Sequence, residues 1–340
     1  MNAPLLRVDG LSKTFAARNG LFGRSANRVH AVRQASFELS AGRTVGLVGE
    51  SGSGKSTLAR LVHRQLDADS GSVAFDGIDV TKAQGSLLKR FRKEVAFVFQ
   101  DPYASLNPSW PVGRIVGEPL AIHGLASGAA REQIVERHLG EVGLDPSALD
   151  RRPSQFSGGQ RQRIAIARAL ATEPRVLICD EPVSALDVST RAQVLSILAE
   201  LQESLSLAIL LISHDLAVVQ AMSDDVAVMY LGEIVEYGPA ATIVTKPLHP
   251  YTVALVDASP DIRAPKDRSR IVLGTDAPTQ TKVGPGCPFA SRCPLVMDRC
   301  HEVRPPMVSF GGHRVACHLH ETHMPKAGLT PVMPVVKAGP

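Results

Sequence analysis

Apolar residues recur along this chain in three rhythms, and each rhythm predicts a different element. Alternation over residues 5–8, and again at Val32, Phe37 and Leu39 within residues 32–39, predicts two antiparallel strands. A loop rich in Gly, Arg and Asn, residues 16–30, separates them. Short apolar runs at 44–48, 71–75, 95–99, 175–181 and 208–212 predict further strands, the unbroken ones buried in a parallel sheet. Helical spacing follows in Leu58, Leu61 and Val62, in Ile134, Val135, His138, Leu139 and Val142, and in Ile164, Ala167 and Leu170. It returns in Val194, Ile197, Leu198, Leu201 and Leu205. Residues 101–153 start with the turns Asp101-Pro102, Asn107-Pro108 and Trp110-Pro111 and read as a mainly helical insertion. Residues 226–230 and 233–237 flank Gly232 as a hairpin, and 240–258 are helical apart from a break at Pro247 and Pro250. The basic run 87–93 reads as a solvated face. Strands alternating with helices define an α/β fold, and no internal repeat is visible.

Composition narrows the setting. The chain has 340 residues, 44% hydrophobic and 21% charged, which is ordinary for a globular protein with a well-buried core. Its longest aliphatic run, residues 207–212, is too short to span a bilayer. Arg7 and Asp9 interrupt the apolar start, so no secretory leader is expected. A cytoplasmic setting with reduced thiols is the expectation, any membrane role being peripheral. The net charge of +4 lies wholly in the last 84 residues, where 11 Lys/Arg face 7 Asp/Glu. That stretch also holds 12 of 24 prolines and 4 of 5 cysteines, which marks a boundary near residue 256. Its charges are scattered among prolines and read as solvated surface, so no nucleic-acid partner is expected.

Three stretches carry chemistry. Gly49-Glu50-Ser51-Gly52-Ser53-Gly54-Lys55-Ser56-Thr57 lies between a predicted strand and a predicted helix. In that context G-x-x-x-x-G-K-[ST] is a phosphate-binding loop. Its amides form an anion nest behind which the helix dipole lies. Lys55 is placed for the β- and γ-phosphates of a nucleoside triphosphate and the Ser56 hydroxyl for Mg2+. The second stretch is Leu177-Ile178-Cys179-Asp180-Glu181, a buried strand ending in two acids. Asp180 is expected to hold Mg2+ through its water shell and Glu181 to accept a proton from the attacking water. The third is Ser157-Gly158-Gly159-Gln160, a helix start whose Ser157 is a good N-cap. Cys179 reads as packing. Phe15 has two open readings, a ring that stacks on adenine and a plain core aromatic.

The phosphate loop, Gln100, Ser157–Gln160, Asp180–Glu181, Ser184-Ala185-Leu186-Asp187 and His214 occur together and in order. The set resembles the nucleotide-binding subunit of an ATP-binding cassette (ABC) transporter over about residues 5–255. That resemblance implies a RecA-like core, an antiparallel β subdomain and a helical subdomain at about 101–172. It makes Gln100 the residue that touches Mg2+ or the attacking water and senses the membrane partner. It makes Ser157–Gln160 the cap for a γ-phosphate bound by the opposite subunit, and Asp187 a residue of the dimer seam. His214 becomes the switch histidine that contacts the γ-phosphate and orients Glu181, and Phe15 the adenine-stacking residue, often tyrosine in the family.

The tail, residues 256–340, sharpens the resemblance. His249-Pro250-Tyr251-Thr252, Gly286-Cys287-Pro288-Phe289, Arg292-Cys293-Pro294, Cys300 and Cys317 are similar to the oligopeptide/dipeptide/nickel importers. Asn19-Gly20-Leu21-Phe22-Gly23 and the segment from Phe99 to Pro108 agree. The cysteine spacing lacks the close pairs of common zinc sites. The subfamily implies a [4Fe–4S] cluster on Cys287, Cys293, Cys300 and Cys317, with zinc as second choice and His301 or His318 as substitute ligands. The expected protein is a transport-coupled ATPase on the cytoplasmic face of the inner membrane, working on di- and oligopeptides. Its implied partners are a related but distinct second ATPase, two permease subunits and an extracytoplasmic solute-binding protein. The rival readings are the same importer class carrying nickel or another solute, a soluble ABC ATPase of DNA repair or translation, and a small-molecule P-loop kinase. The kinase reading leaves Ser157–Gln160 and His214 unexplained.

Overall fold

In the computed structural model, which describes residues 3–17, 27–259 and 284–321, the apolar runs at 44–48, 95–99, 175–181 and 208–212 become the middle of one mixed sheet, while 71–75 joins a second sheet. Its parallel strands are β3 (Thr44–Val48), β6 (Val95–Val98), β7 (Val176–Asp180), β8 (Ala208–Ser213) and β9 (Asp225–Tyr230). The strand order is β9-β3-β8-β7-β6. These runs are unbroken because both faces of the sheet are covered, and alternate residues serve different cores. Ala96, Val98, Leu177, Cys179, Ile209 and Leu211 join one cluster, while Val95, Phe97, Val176, Ile178, Leu210 and Ile212 join another. Cys179 is accordingly a packing residue, wholly buried, with its thiol pKa pushed up by burial.

Helices cover the first face. They are the short α3 (Pro102–Ser105), α4 (Val112–His123) and α5 (Gly128–Glu141), which lie within the expected insertion at 101–153, α6 (Gly158–Leu170), which lies beyond it but within the expected helical subdomain, and α7 (Val188–Leu205). In α7, Val194, Leu198 and Leu201 are buried as the spacing predicts, but Leu205 at its end is exposed. The second face carries α1 (Lys55–Val62), α2 (Gly85–Glu94) and a four-stranded antiparallel sheet. That sheet is formed by β1 (Leu6–Ala17), β2 (Asn27–Leu39), β4 (Ser70–Phe75) and β5 (Ile78–Asp79). The basic run is the exposed side of α2, while Phe91 is buried edge-on to Phe75 and Leu88 packs beside it on the same core.

β1 and β2 are longer than their alternation predicts. Register shifts between Val8 and Leu11, Leu11 and Lys13, and Lys13 and Thr14 let pairing continue while breaking the period of two. The Asn19–Gly23 motif lies outside the described residues, as do residues 260–283 and 322–340 of the tail.

The described tail joins the same sheet. β10 (Glu233–Pro239) pairs with β9, and β12 (His313–Val315) then pairs with β10 through Glu236 with Val315 and Tyr237 with Arg314. β11 (Val308–Phe310) closes this edge. Phe289 packs with Tyr230 and Tyr251 in a third core, beside α8 (Leu216–Met222), α9 (Ala240–Thr245) and α10 (Pro250–Ala258). No helix among the described residues is long and apolar enough to cross a membrane.

Candidate functional site

The carboxyl ends of β3, β6, β7 and β8 meet at one crevice, where loops from distant parts of the chain converge. From β3 the chain enters the phosphate loop and then α1. Gly54 is the N-cap of α1 and has φ of 106°, in the region that favours glycine. A Cβ there would also lie 2.1 Å from the Ala31 carbonyl oxygen, so the loop closes against the backbone. Lys55, nearly buried, donates from Nζ to the carbonyls of Gly49 at 2.7 Å and Glu50 at 2.9 Å, with Ser53 Oγ at 3.5 Å. Burial lowers its pKa, opposed by the charges of Glu181, Asp180 and Glu50. A buried ammonium held by carbonyl and hydroxyl oxygens, whose charge those neutral groups leave in place, is set to receive a polyanion. Ser51 and Gly52 form the exposed outer turn, and Thr57 lies half-buried in the first turn of α1.

β7 brings the acids. The Ser56 hydroxyl donates to Asp180 Oδ1 at 2.8 Å, joining the first turn of α1 to the strand end. Burial pushes the Asp180 pKa up, opposed by the Ser56 hydrogen bond and by Arg60. A desolvated carboxylate beside a hydroxyl is a fitting donor set for Mg2+, because a bound cation would offset that burial cost. Glu181 follows with φ of 47°, a left-handed conformation for a residue with a side chain. Its amide donates to the Ile212 carbonyl at 3.0 Å, which holds the turn. Its carboxylate oxygen Oε2 accepts from Gln100 Nε2 at 3.1 Å and lies 3.2 Å from His214 Nδ1. One oxygen thus gathers three residues that follow β6, β7 and β8.

The second glycine-bearing helix start is finished by its own residues. Ser157 Oγ accepts from the Gln160 amide, and Gln160 Oε1 accepts from the Ser157 amide, a reciprocal cap on α6. Gly158 is the first residue of α6, and a Cβ on Gly159 would lie 2.0 Å from Thr190 Cγ2, so α6 and α7 approach closely there. Asp187 caps α7 by accepting from the Thr190 amide, the Ser189 hydroxyl and the Thr190 hydroxyl. Those bonds, the Thr190 amide first, hold its carboxyl down to about 2. Among the described residues, the side-chain hydrogen bonds of Ser157 and Gln160 stay within that turn. Phe15 lies in β1 with its ring at the surface, 38% exposed, and Lys13 Nζ 5.7 Å from its centre.

Cys287, Cys293, Cys300 and Cys317 line one small cavity with His249, Phe289 and His318. Burial raises the Cys287 thiol to about 11 and the Cys317 thiol to about 12. Among the described residues no three Cys, His, Asp or Glu form a group that could hold a metal ion. The residues missed in the sequence are those that tie this segment down. Glu236 is wholly buried and accepts from the amides of Leu248 and His249, with His313 Nε2 at 2.6 Å. Arg292 and Tyr251 reach back to Glu50 in the phosphate loop. The quoted motifs His249-Pro250-Tyr251-Thr252 and Arg292-Cys293-Pro294 contain Tyr251 and Arg292 but give neither a role.

Solved structures place this fold in a class. A dimeric ATP-binding cassette in a post-hydrolysis state, bound to ADP and Pi, matches with a TM-score of 0.61 at 28% identity, over 69% of this chain and 98% of that one. cbiO1 from Clostridium perfringens, part of the ABC transporter complex cbiONQ, matches with a TM-score of 0.61 at 27% identity, over 71% and 91%. The fold is the α/β cassette of ABC ATPases. The ABC transporter family matches residues 32–184, and the oligopeptide/dipeptide transporter C-terminal region matches residues 235–300. The oligopeptide transport ATP-binding protein AppF of Bacillus subtilis is 45% identical over 320 residues, 93% of this chain and 97% of its own length. The dipeptide transport ATP-binding protein DppF of Escherichia coli is 43% identical over 317 residues, 93% and 95%. The chain belongs to the ABC transporter ATP-binding proteins, within their oligopeptide/dipeptide group.

Proposed function

We propose that this chain is the ATP-hydrolysing subunit that powers import of di- and oligopeptides through an ABC transporter. The observation that carries the reading is the convergence of Gln100 and His214 on one oxygen of Glu181, beside the Lys55–Ser56–Asp180 cluster. Lys55 and the loop amides bind the β- and γ-phosphates, and Phe15 offers its exposed ring to the adenine. Ser56, Asp180 and Gln100 would hold Mg2+, which supplies charge neutralisation at the phosphates. Water attacks the γ-phosphorus while Glu181 takes its proton. The bond from γ-phosphorus to the bridging oxygen breaks, and ADP leaves with the electron pair. Gln100 and His214 fix the direction of the Glu181 carboxylate and so the line of attack.

Ser157–Gln160 and Asp187 complete the site of a second cassette, which in this reading is a related but distinct ATPase. Two permease subunits and an extracytoplasmic solute-binding protein complete the complex, with the chain held peripherally on the cytoplasmic face of the inner membrane. We divide the chain into the nucleotide-binding body, residues 1–255 with its helical subdomain at about 101–172, and the extension, residues 256–340. Within the extension, Cys287, Cys293, Cys300 and Cys317 would hold a [4Fe–4S] cluster. That the four thiols line one cavity supports this reading, while among the described residues no three of them form a group that could hold a metal ion.

Glu181→Gln tests the catalytic assignment. The variant is expected to bind ATP as the wild type does while turnover falls at least ~100-fold, and ATP-driven uptake of a labelled dipeptide by vesicles holding the whole complex falls with it. Near-normal ATPase activity in that variant would remove Glu181 as the base.

A further inference from the structure

Glu50 occupies the second position of the phosphate loop, yet its carboxylate is held from outside the loop. Arg292 grips it with both terminal nitrogens, Nη1 to Oε2 at 2.8 Å and Nη2 to Oε1 at 2.9 Å. The Arg292 side chain is only 8% exposed and also donates to the Tyr230 hydroxyl at 3.3 Å. That bidentate grip pairs the two charges in a fixed direction. The Glu50 amide donates to the buried Tyr251 hydroxyl at 2.9 Å. Side chain and backbone of one loop residue are therefore anchored by partners some 200 residues or more away in the sequence.

Arg292 belongs to the described tail. It ends the short turn Ala290–Arg292, between Cys287 and Cys293 of the cysteine-lined cavity. Phe289, which starts that turn, packs on Tyr230 and Tyr251, so the anchor is itself braced by a wholly buried aromatic cluster. A carboxylate within a loop that receives a triphosphate repels it unless neutralised and turned aside. A guanidinium fork does both, and fixes direction as an ammonium does not.

We propose that Arg292 is a positioning residue for nucleotide binding. By neutralising and orienting Glu50 it sets the first turn of the phosphate loop, and so makes the cysteine-bearing segment part of the ATP site. The proposal rests on the ATP-site reading above. It predicts that ATP binding and the order of residues 286–293 are linked in both directions.

The test is ATP binding and turnover of the full chain with Mg2+, in the wild type and in Arg292→Ala, Arg292→Lys, Glu50→Gln and the Glu50→Gln/Arg292→Ala double variant. Arg292→Ala is expected to weaken ATP affinity about tenfold while kcat at saturating ATP changes less than about twofold. Arg292→Lys keeps the charge without the fork and recovers part of the loss. With Gln at position 50 there is no carboxylate left to neutralise, so removing Arg292 adds little. Amide exchange over residues 286–293 slows on ATP binding in the wild type and not in Arg292→Ala. A purely structural arginine would instead give the same loss in both backgrounds. That result, or unchanged ATP affinity in Arg292→Ala, overturns the proposal. If Arg292→Ala does not fold, Arg292→Lys decides it, since it must weaken ATP binding in the wild-type background and have little effect in the Glu50→Gln background. A wild-type chain that binds no ATP overturns the ATP-site reading itself. Wild-type binding with an indifferent Arg292 overturns only this inference.

Discussion

Two helices in this chain start with glycines and a short loop, and they are finished in opposite ways. α1 begins at Gly54, which has no side chain to cap it, while α6 begins at Ser157, which exchanges two hydrogen bonds with Gln160. Around the start of α1 the same chain supplies a lysine, a hydroxyl and Asp180, with Glu181, Gln100 and His214 on the neighbouring strand ends. Around the start of α6 it supplies a cap and close packing on Thr190. In the proposed reading the first terminus is a phosphate site with its chemistry attached, and the second is one wall of a site that another cassette completes. Both share the helix dipole and the glycines, so those features mark where anions are welcome but not which chain completes the cage.

That contrast can be broken at either end. Loss of the Glu181 carboxylate acts on chemistry alone and is the largest expected effect, at least ~100-fold in turnover. Lys55→Ala acts on binding at the α1 terminus. Losing a charge-assisted contact to phosphate weakens ATP affinity by on the order of ten- to a hundredfold, read by equilibrium titration of the full chain. Ser157→Ala is the smallest effect. It costs about 1 kcal/mol of stability through the lost cap, read as a shift in the denaturant midpoint, and leaves ATP affinity of the same chain unchanged. A comparable loss of ATP affinity in Lys55→Ala and Ser157→Ala would erase the distinction between the two termini.

Much of the α1 site was legible in the sequence because each of its parts ends an unbroken apolar run. A strand buried on both faces announces itself, and the residue after it must lie at the crevice. β1 and β2 were legible only in part, since bulges shift the register that alternation relies on. The tail was legible by resemblance and hardly by physics. Its segment is fixed by polar contacts that have no periodicity. Glu236 sits wholly buried in β10 and binds two amides and a histidine, and Arg292 pairs with Glu50 across 242 positions. Single buried acids and bases of this kind look like surface charge until the fold brings their partners to them.

In the proposed complex, α1 and α6 belong to sites shared between two cassettes. The most direct measurement is ATP turnover per chain as a function of concentration, for the purified chain alone and titrated with its partner ATPase. Turnover per chain is expected to fall on dilution and to be restored, to saturation, by a second cassette. Turnover per chain that stays constant on dilution and ignores the partner would show that one chain completes the site by itself, and would contradict it.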